Sequence, residues 1–116
     1  MLLICDDEKA WGKYSEAEQK QMMSEYGQLS AQLKANGQYI AGSQLKPAAS
    51  ATSVRIRGGK RLLTDGPFAE TREQLGGYYL VEAKNLDEAI EIAAKIPAAR
   101  TGTIEVRPLV ESMVPA

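Results

Sequence analysis

The sequence predicts an α+β domain, in which two strand–helix–strand halves flank a β-hairpin. Two helix starts carry side chains suited to capping, at Ser15 and Asn85. A Gly58-Gly59 pair between two β-rich segments marks the hairpin. Because 116 residues suffice for one hydrophobic core, we assign residues 1–116 to a single domain.

The first half opens with a strand over residues 1–6. Every position from 2 to 5 is apolar, so both faces of this strand are expected to be covered. The acidic run Asp6-Asp7-Glu8 ends it. Residues 8–14 are then predicted to form a loop that carries Trp11.

A long helix is predicted over residues 15–36. Ser15 and Glu18 have the spacing of a capping box, in which each side chain accepts a hydrogen bond from the other residue's backbone N–H. The apolar residues that follow recur at steps of three and four, which places them on one helical face: Met22, Tyr26, Leu29 and Leu33. The pair Asn36-Gly37 is typical of a helix C-terminus.

A second strand over residues 38–45 leads to the hairpin. The hairpin strands are Thr52–Arg57 and Lys60–Asp65, and the two glycines between them suit a type I′ turn. The expected cross-strand pairs are Arg57 with Lys60, Ile56 with Arg61, and Val54 with Leu63. This register places Asp65 on the face that carries Val54, Ile56 and Leu63.

The second half repeats the order of the first. After a short helical turn at residues 71–74, a strand is predicted over residues 78–82, again apolar on both faces. Asn85 and Glu88 begin a helix that Pro97 ends. Its expected apolar face comprises Leu86, Ala89, Ile90, Ala93 and Ile96. A last strand over residues 103–109 completes the domain.

This order of elements predicts a ferredoxin-like sandwich with an extra β-hairpin. Right-handed crossovers place both helices on one face of an antiparallel sheet. The other face is then open in a single chain, although the strands at residues 1–6 and 78–82 are apolar on both sides. A second copy of the chain is expected to cover it, which predicts a two-fold homodimer.

Composition excludes several classes of protein. The net charge of −1 lacks the basic excess of a non-specific nucleic-acid binder, so we expect no nucleic-acid partner. With no histidine and a single cysteine, Cys5, we expect no metal site, no cofactor and no histidine-dependent triad. Cys5 is interpreted as a small buried apolar residue. No segment approaches a membrane span, so we expect no membrane partner and a cytoplasmic location.

The segment Asp65-Gly66-Pro67-Phe68 with Glu70 is the main candidate for chemistry. Gly66 can adopt a positive φ and Pro67 fixes its own φ, so the turn is expected to be rigid. One interpretation places the two carboxylates at a pocket, with Asp65 as a catalytic general acid or base. The alternative is that Asp65 stiffens the turn by bonding backbone N–H groups, and that Glu70 starts the next helical turn.

Glu70, Tyr78 and Arg107 are the residues predicted to bind a ligand beside Asp65. Tyr78 and Tyr79 point to opposite faces of one strand, so one hydroxyl is available to a cavity. Arg107 alternates with core residues and is predicted either to pair with Glu105 at the dimer interface or to line a pocket. The basic residues of the hairpin are interpreted as a solvated edge rather than an anion clamp.

Three segments carry a resemblance to a known family: Asp-Gly-Pro-Phe at 65–68, Leu-Gly-Gly at 75–77 and Ile-Glu-Val-Arg-Pro-Leu at 104–109. On these motifs the chain resembles the YCII-related family, in its DGPF-motif branch, over about residues 1–111. The resemblance implies a dimeric α+β barrel. Some members of the wider family carry a His-Asp pair in a cleft. That pair is absent here, since residues 15–36 hold no histidine and Ile96-Pro97 stands where the wider group tends to have Asp-Pro.

Two classes of function remain open. The DGPF branch is generally of unknown function, and some relatives are associated with alternative sigma factors, so the resemblance implies a possible link to transcriptional regulation. We favour a dimeric module that binds a small ligand or a protein partner. The alternative is a small-molecule enzyme that uses Asp65 as a general acid or base. A pocket around Asp65 distinguishes the two classes.

Overall fold

A computed structural model describes residues 1–69 and 71–110. Within this part of the chain, six strands and three helices follow one another in an α+β order, with two short 3-10 turns. The elements are β1 (Leu2–Asp6), α1 (Glu8–Trp11), α2 (Glu16–Ala35), β2 (Tyr39–Gln44), β3 (Thr52–Arg57), β4 (Lys60–Asp65), β5 (Gln74–Val81), α3 (Leu86–Ala94) and β6 (Thr103–Val106), and the 3-10 turns are Ala48–Ser50 and Pro97–Arg100.

Four strands form one antiparallel sheet in the order β2-β5-β1-β6. The central strand β1 pairs with β5 on one side and β6 on the other, so that Leu3 lies opposite both Tyr78 and Glu105. The remaining strands, β3 and β4, form a separate two-stranded sheet. The α+β class predicted from the sequence is confirmed.

Helix caps behave as the sequence predicts. The hydroxyl of Ser15 accepts the Glu18 N–H at 3.1 Å, and the Glu18 carboxylate accepts the Ser15 N–H at 3.1 Å, which completes the capping box. The side chain of Asn85 accepts the Glu88 N–H at 2.9 Å and begins α3. The predicted loop over residues 8–14 was wrong in part, because Asp7 caps the short helix α1 by accepting the Lys9 N–H at 3.0 Å.

The core lies between the sheet and the two long helices. Its buried residues are Leu2, Leu29, Leu33, Tyr79, Ile92, Ala93, Ile96 and Ala98. The apolar face predicted for α3 is wrong at two positions. Leu86 and Ile90 are exposed, whereas Ala93 and Ile96 of the predicted face are buried together with Ile92. The N-terminal part of the predicted stripe lies outside the core, and only its C-terminal part packs against the sheet.

The hairpin has the register that the sequence predicts. Val54 lies opposite Leu63, and the pairing continues from Arg57–Lys60 at the tip to Thr52–Asp65 at the base. Gly58 and Gly59 have φ values of 57° and 76°. Two successive positive φ values are the requirement of a type I′ turn, which glycine meets without steric cost.

Two strand boundaries differ from the prediction. The helical turn expected at residues 71–74 is absent, because β5 already begins at Gln74, which pairs with Asp6 of β1. Pairing with a neighbouring strand outweighs the local preference of a short polar segment. The last strand ends at Val106 rather than at residue 109, where the pairing with β1 stops.

The second face of the sheet carries no long helix. Both long helices pack against the face of Leu2 and Tyr79, whereas Leu3, Cys5 and Tyr78 on the opposite face are only half-buried. The chain exposes 8703 Å². A compact chain of 12.6 kDa is expected to expose about 6,200 Å². Full exposure of the residues outside the described ranges would account for only about 1,100 Å² of this excess.

Candidate functional site

A cavity of about 430 Å³ opens between α2 and the end of the sheet where β1 and β2 finish and β5 begins. The short helix α1 lies at its mouth. Among the lining residues are Ile4, Trp11, Tyr26, Ser30, Gly42 and Tyr79. The volume lies within the range of about 300–1,000 Å³ that is usual for small-molecule sites.

Two glycines leave the cavity floor open. A Cβ atom at Gly42 would lie 3.0 Å from Cδ1 of Tyr79, and one at Gly77 would lie 2.9 Å from the Ser43 carbonyl oxygen. Gly77 stands opposite Ile4 in the sheet, and Gly42 stands opposite Tyr79. The Leu-Gly-Gly segment at 75–77 therefore lets β2 and β5 approach closely while no side chain from Gly77 enters the cavity.

A partly buried pair of hydroxyl groups lines the cavity. Oγ of Ser30 and the hydroxyl oxygen of Tyr79 are 2.8 Å apart, so the two groups share a hydrogen bond. The Tyr79 ring meets the Tyr39 ring edge-on, with centroids 6.3 Å apart. Because Tyr79 is held on both sides, its hydroxyl has a fixed position in the cavity.

Tyr26 adds a third hydroxyl, from the same helix as Ser30. Burial raises the pKa of Tyr26 above its ordinary value, and a hydrogen bond with the Ala98 backbone opposes that shift. The nearby Tyr79 and Asp6 raise the pKa further. The Tyr26 phenol is therefore neutral at physiological pH and available as a hydrogen-bond donor.

Asp6 supplies acceptor oxygens at the end of β1. Its Oδ1 accepts the Asp7 N–H at 2.8 Å, and its Oδ2 accepts the Thr101 hydroxyl at 2.7 Å. These two bonds fix the carboxylate at the cavity wall. The sequence analysis interpreted this acidic run only as the end of a strand. The available signal was its position, since polar groups that directly follow a buried strand often belong to a site.

Aromatic rings and a carboxylate shape the mouth. Trp11 and Tyr14 meet edge-on, with centroids 6.1 Å apart. The Glu8 side chain accepts the Ala48 N–H at 2.7 Å, and the Glu8 N–H donates to Oε1 of Gln74 at 3.1 Å. The start of α1 is thereby joined to the connector that leads into the hairpin.

The structure describes three of the four predicted site residues, and it brings one of these three to the cavity. Tyr78 borders the cavity although its side chain lies on the opposite face of the sheet from Tyr79, whereas Asp65 and Arg107 do not line it. Asp65 is exposed at the end of β4, and Arg107 is exposed and lies 3.6 Å from the Glu105 carboxylate. Glu70 lies outside the described residues. The catalytic role of Asp65 and the ligand-binding roles of the other three stay predictions.

The DGPF turn closes the base of the hairpin. Gly66 has a φ of 93°, and its N–H donates to the Ala51 carbonyl at 2.7 Å. The Ser53 hydroxyl donates to the Gly66 carbonyl at 2.9 Å. The Arg55 guanidinium lies over the Phe68 ring, 4.6 Å from its centroid. Among the described residues, backbone groups and Ser53 hold the turn, and the Asp65 carboxylate takes no part in a hydrogen bond.

Cys5 lies on the open face of the sheet rather than in the cavity. Burial raises the pKa of its thiol, and the negative charges of Glu105 and Glu73 raise it further. A raised pKa keeps the thiol protonated and unreactive at neutral pH.

Within residues 1–69 and 71–110, no cluster of three or more side chains has the arrangement of a metal site. No helix in that part of the chain has the length and apolar character to cross a membrane.

Comparison with known proteins identifies the family. Residues 1–112 match the YCII-related domain. An uncharacterized protein of Rhizobium meliloti (strain 1021), R00369, is 34% identical over 110 residues, which cover 93% of this chain and 89% of that protein. The chain therefore belongs to the YCII-related domain family. Its assignment to the DGPF-motif branch stays a prediction from residues 65–68.

Proposed function

We propose that this protein is a dimeric module that binds a small organic molecule in the cavity between α2 and the sheet. The observation that carries the proposal is the fixed Ser30–Tyr79 hydroxyl pair, which lines a cavity of about 430 Å³. Sites of this size, mostly apolar with a few fixed polar groups, are typical of small-molecule recognition.

The lining indicates the chemistry of the ligand. Met22, Trp11 and Ile4 offer apolar contact to the body of a molecule, and Tyr26 offers a neutral hydroxyl to its polar end. Asp6 and Glu8 place negative charge at the wall and mouth, which disfavours an anionic ligand. The expected ligand is therefore a neutral or cationic molecule with an aromatic or aliphatic body and one polar group.

The dimer belongs to the same proposal. The strand order β2-β5-β1-β6, with both long helices contributing to one core, supports a ferredoxin-like sandwich. The half-buried face of Leu3, Cys5 and Tyr78, together with the excess exposed area, supports pairing of two sheets into a dimeric α+β barrel. The surface in excess is of the order that a stable homodimer buries, roughly 2,000 Å² or more in total.

The proposal does not extend to catalysis by Asp65, because that side chain is exposed and lies outside the cavity lining. The link to transcriptional regulation likewise stays a prediction, since it depends on the family resemblance alone. Binding in the cavity requires neither.

A fluorescence titration tests the binding proposal. N-phenyl-1-naphthylamine is a neutral aromatic amine that becomes fluorescent in apolar sites, and we expect it to bind the wild-type protein. Ser30→Leu removes the hydroxyl pair and fills part of the cavity, so the affinity should fall by at least tenfold. Ser24→Leu, on the exposed side of the same helix, should leave the affinity unchanged. Circular dichroism of each variant establishes that it is folded.

Equal affinity of both variants and the wild type would contradict a site in this cavity. Tyr26→Phe serves as a second variant if Ser30→Leu does not fold, with an expected loss of affinity of about threefold to tenfold for one neutral hydrogen bond. Sedimentation equilibrium tests the dimer separately. A monomer at micromolar concentration would contradict the pairing of sheets but not the cavity.

A further inference from the structure

The two faces of the β3–β4 hairpin differ in chemistry. On one face, Val54 and Leu63 stand directly opposite each other, and Ile56 follows Val54 on the same side. These three side chains are 58%, 59% and 59% exposed, in the order Val54, Leu63, Ile56. The other face carries Arg55, Arg57 and Lys60, together with Leu62, which stands opposite Arg55 and is 46% exposed. Three of the four exposed apolar side chains of the hairpin therefore lie together on one face, which favours that face for contact with another surface.

Within the described part of the chain, the hairpin has no layer to pack on. Every strand residue except Ser53 is exposed, and β3 and β4 pair only with each other. A two-stranded ribbon alone in water is marginally stable at best. The part of the chain that the structure describes therefore leaves the apolar face of the hairpin without a surface to pack on.

Helix α3 carries a surface that lacks a partner in the same way. Leu86 and Ile90 lie four residues apart on one side of the helix, and they are 60% and 48% exposed. Ala94 continues the stripe one turn later and is also exposed. This stripe lies apart from the buried side of α3, where Ile92 and Ala93 meet the core.

The charges around the two apolar surfaces are opposite. The hairpin carries four basic residues and one acidic residue: Arg55, Arg57, Lys60, Arg61 and Asp65. Helix α3 carries three acidic residues and no basic one: Asp87, Glu88 and Glu91. Arg61 stands opposite Ile56 on the apolar face of the hairpin, and Glu91 follows Ile90 in α3. Apolar contact and charge therefore favour the same pairing.

The hairpin cannot reach α3 of its own chain. Its connectors join the sheet through β2 and β5, whereas α3 packs beside β6 at the opposite edge of the sheet. A second copy brings its own α3 within reach without any change in the first. Two copies that exchange hairpins in this way form a closed pair, which buries both surfaces twice.

We propose that the apolar face of the hairpin packs on the exposed stripe of α3 in a second copy of the chain. This inference rests on the dimer of the proposed function and adds a second contact to it. No residue of β3 or β4 lines the cavity, and the inference gives this basic hairpin a role in the contact between two copies of the chain. The outer face, with Arg55 and Arg57, stays exposed to solvent.

Disulfide trapping tests the contact. In a Cys5→Ser background, Ile56→Cys and Ile90→Cys are made in separate chains, mixed and oxidised. We expect a covalent dimer on a non-reducing gel. Val54→Cys and Leu63→Cys, each mixed with Leu86→Cys or Ile90→Cys, cover the neighbouring registers. Arg57→Cys lies on the opposite face of the hairpin and is the matched control, which should yield at least tenfold less covalent dimer with the same partners.

Two results overturn the proposal. One is the failure of all three apolar-face cysteines to form a covalent dimer with either α3 cysteine. The other is covalent dimer from Arg57→Cys at the same rate. Sedimentation of the wild-type protein separates this failure from that of the proposed function. A wild-type dimer without trapping contradicts only the hairpin contact, whereas a wild-type monomer contradicts the dimer itself. Ligand binding in the cavity is measured independently of both.

Discussion

The helix-covered sheet and the hairpin are built from equally clear local signals, yet they owe their stability to different surroundings. In the sheet, Leu2 is 1% exposed and lies under two helices of the same chain. In the hairpin, Val54 is an equally apolar strand residue and is 58% exposed. Good turn and strand chemistry therefore specifies a conformation, but burial decides whether that conformation is stable alone.

The largest expected effect is the difference in stability cost between an alanine substitution in the helix-covered sheet and one in the hairpin. Leu2→Ala removes a fully buried side chain and should lower the free energy of unfolding by about 2–5 kcal/mol, through lost burial and a residual cavity. Val54→Ala should cost less than about 0.5 kcal/mol at low protein concentration. Urea denaturation at two protein concentrations measures both. A cost for Val54→Ala that grows with concentration would show that hairpin burial comes from a second copy.

Alanine substitutions at two glycines test how tightly the helix-covered part of the molecule is packed. Gly42→Ala brings a methyl group to 3.0 Å from Tyr79 and should cost about 1–3 kcal/mol, since the ring has to shift within a packed core. It should also weaken binding of the naphthylamine probe. Gly27→Ala is the matched control, because Gly27 lies in α2 with nothing within 4 Å of the added atom. That change should stabilise the protein by roughly 0.5–1 kcal/mol.

A smaller effect is expected at the base of the hairpin. Gly66→Ala meets no steric obstacle, but the φ of 93° strains any L-residue by about 1 kcal/mol or more. The melting temperature should fall by about 4 °C. Hydrogen exchange should show the loss in β3 and β4, while β1 and β5 keep their protection. Melting at the wild-type temperature would contradict a strained turn.

The smallest expected effect is a change in the pH dependence of stability, caused by Tyr26 in the helix-covered part of the molecule. The pKa of Tyr26 is raised in the folded protein, so folding favours the neutral phenol. This contribution is fully present below the unfolded pKa near 10 and is lost as the pH rises through the folded value. Stability should therefore fall above pH 10, and Tyr26→Phe should show a shallower fall. Parallel curves for the two proteins would contradict the buried position of this hydroxyl.

The features of the fold that could be predicted from the sequence are those that depend on residues close together in the chain. The Ser15 capping box, the Asn85 cap and the Gly58-Gly59 turn each involve residues a few positions apart, and all are present in the structure. The exposed side of α3 could not be predicted in this way. Leu86 and Ile90 fit the helical period, but which apolar side meets the sheet is decided by packing far away in the chain.

The candidate site was predicted less well for the same reason. The sequence analysis placed it at Asp65, where a rigid turn and a carboxylate coincide. The cavity instead depends on Ser30 and Tyr79, which are 49 positions apart and carry no shared motif. Its space comes from Gly42 and Gly77, which are glycines in two different strands. Strand register brings Gly42 beside Tyr79, and the packing of α2 on the sheet brings Ser30 to the Tyr79 hydroxyl.

The hydrogen bond between Glu8 and Ala48 has a mechanical consequence. It spans 40 positions and fastens the first helical turn at the cavity mouth to the connector that leads into the hairpin. The N–H of Glu8 is fastened in turn to Gln74 at the start of β5. Glu8 therefore joins three segments that are far apart in the sequence: the start of α1, the connector before the hairpin and the start of β5. A ligand of the proposed site that entered past Trp11 would therefore pass a segment joined to the connector of the hairpin, and we expect changes in the hairpin to alter the rate of entry.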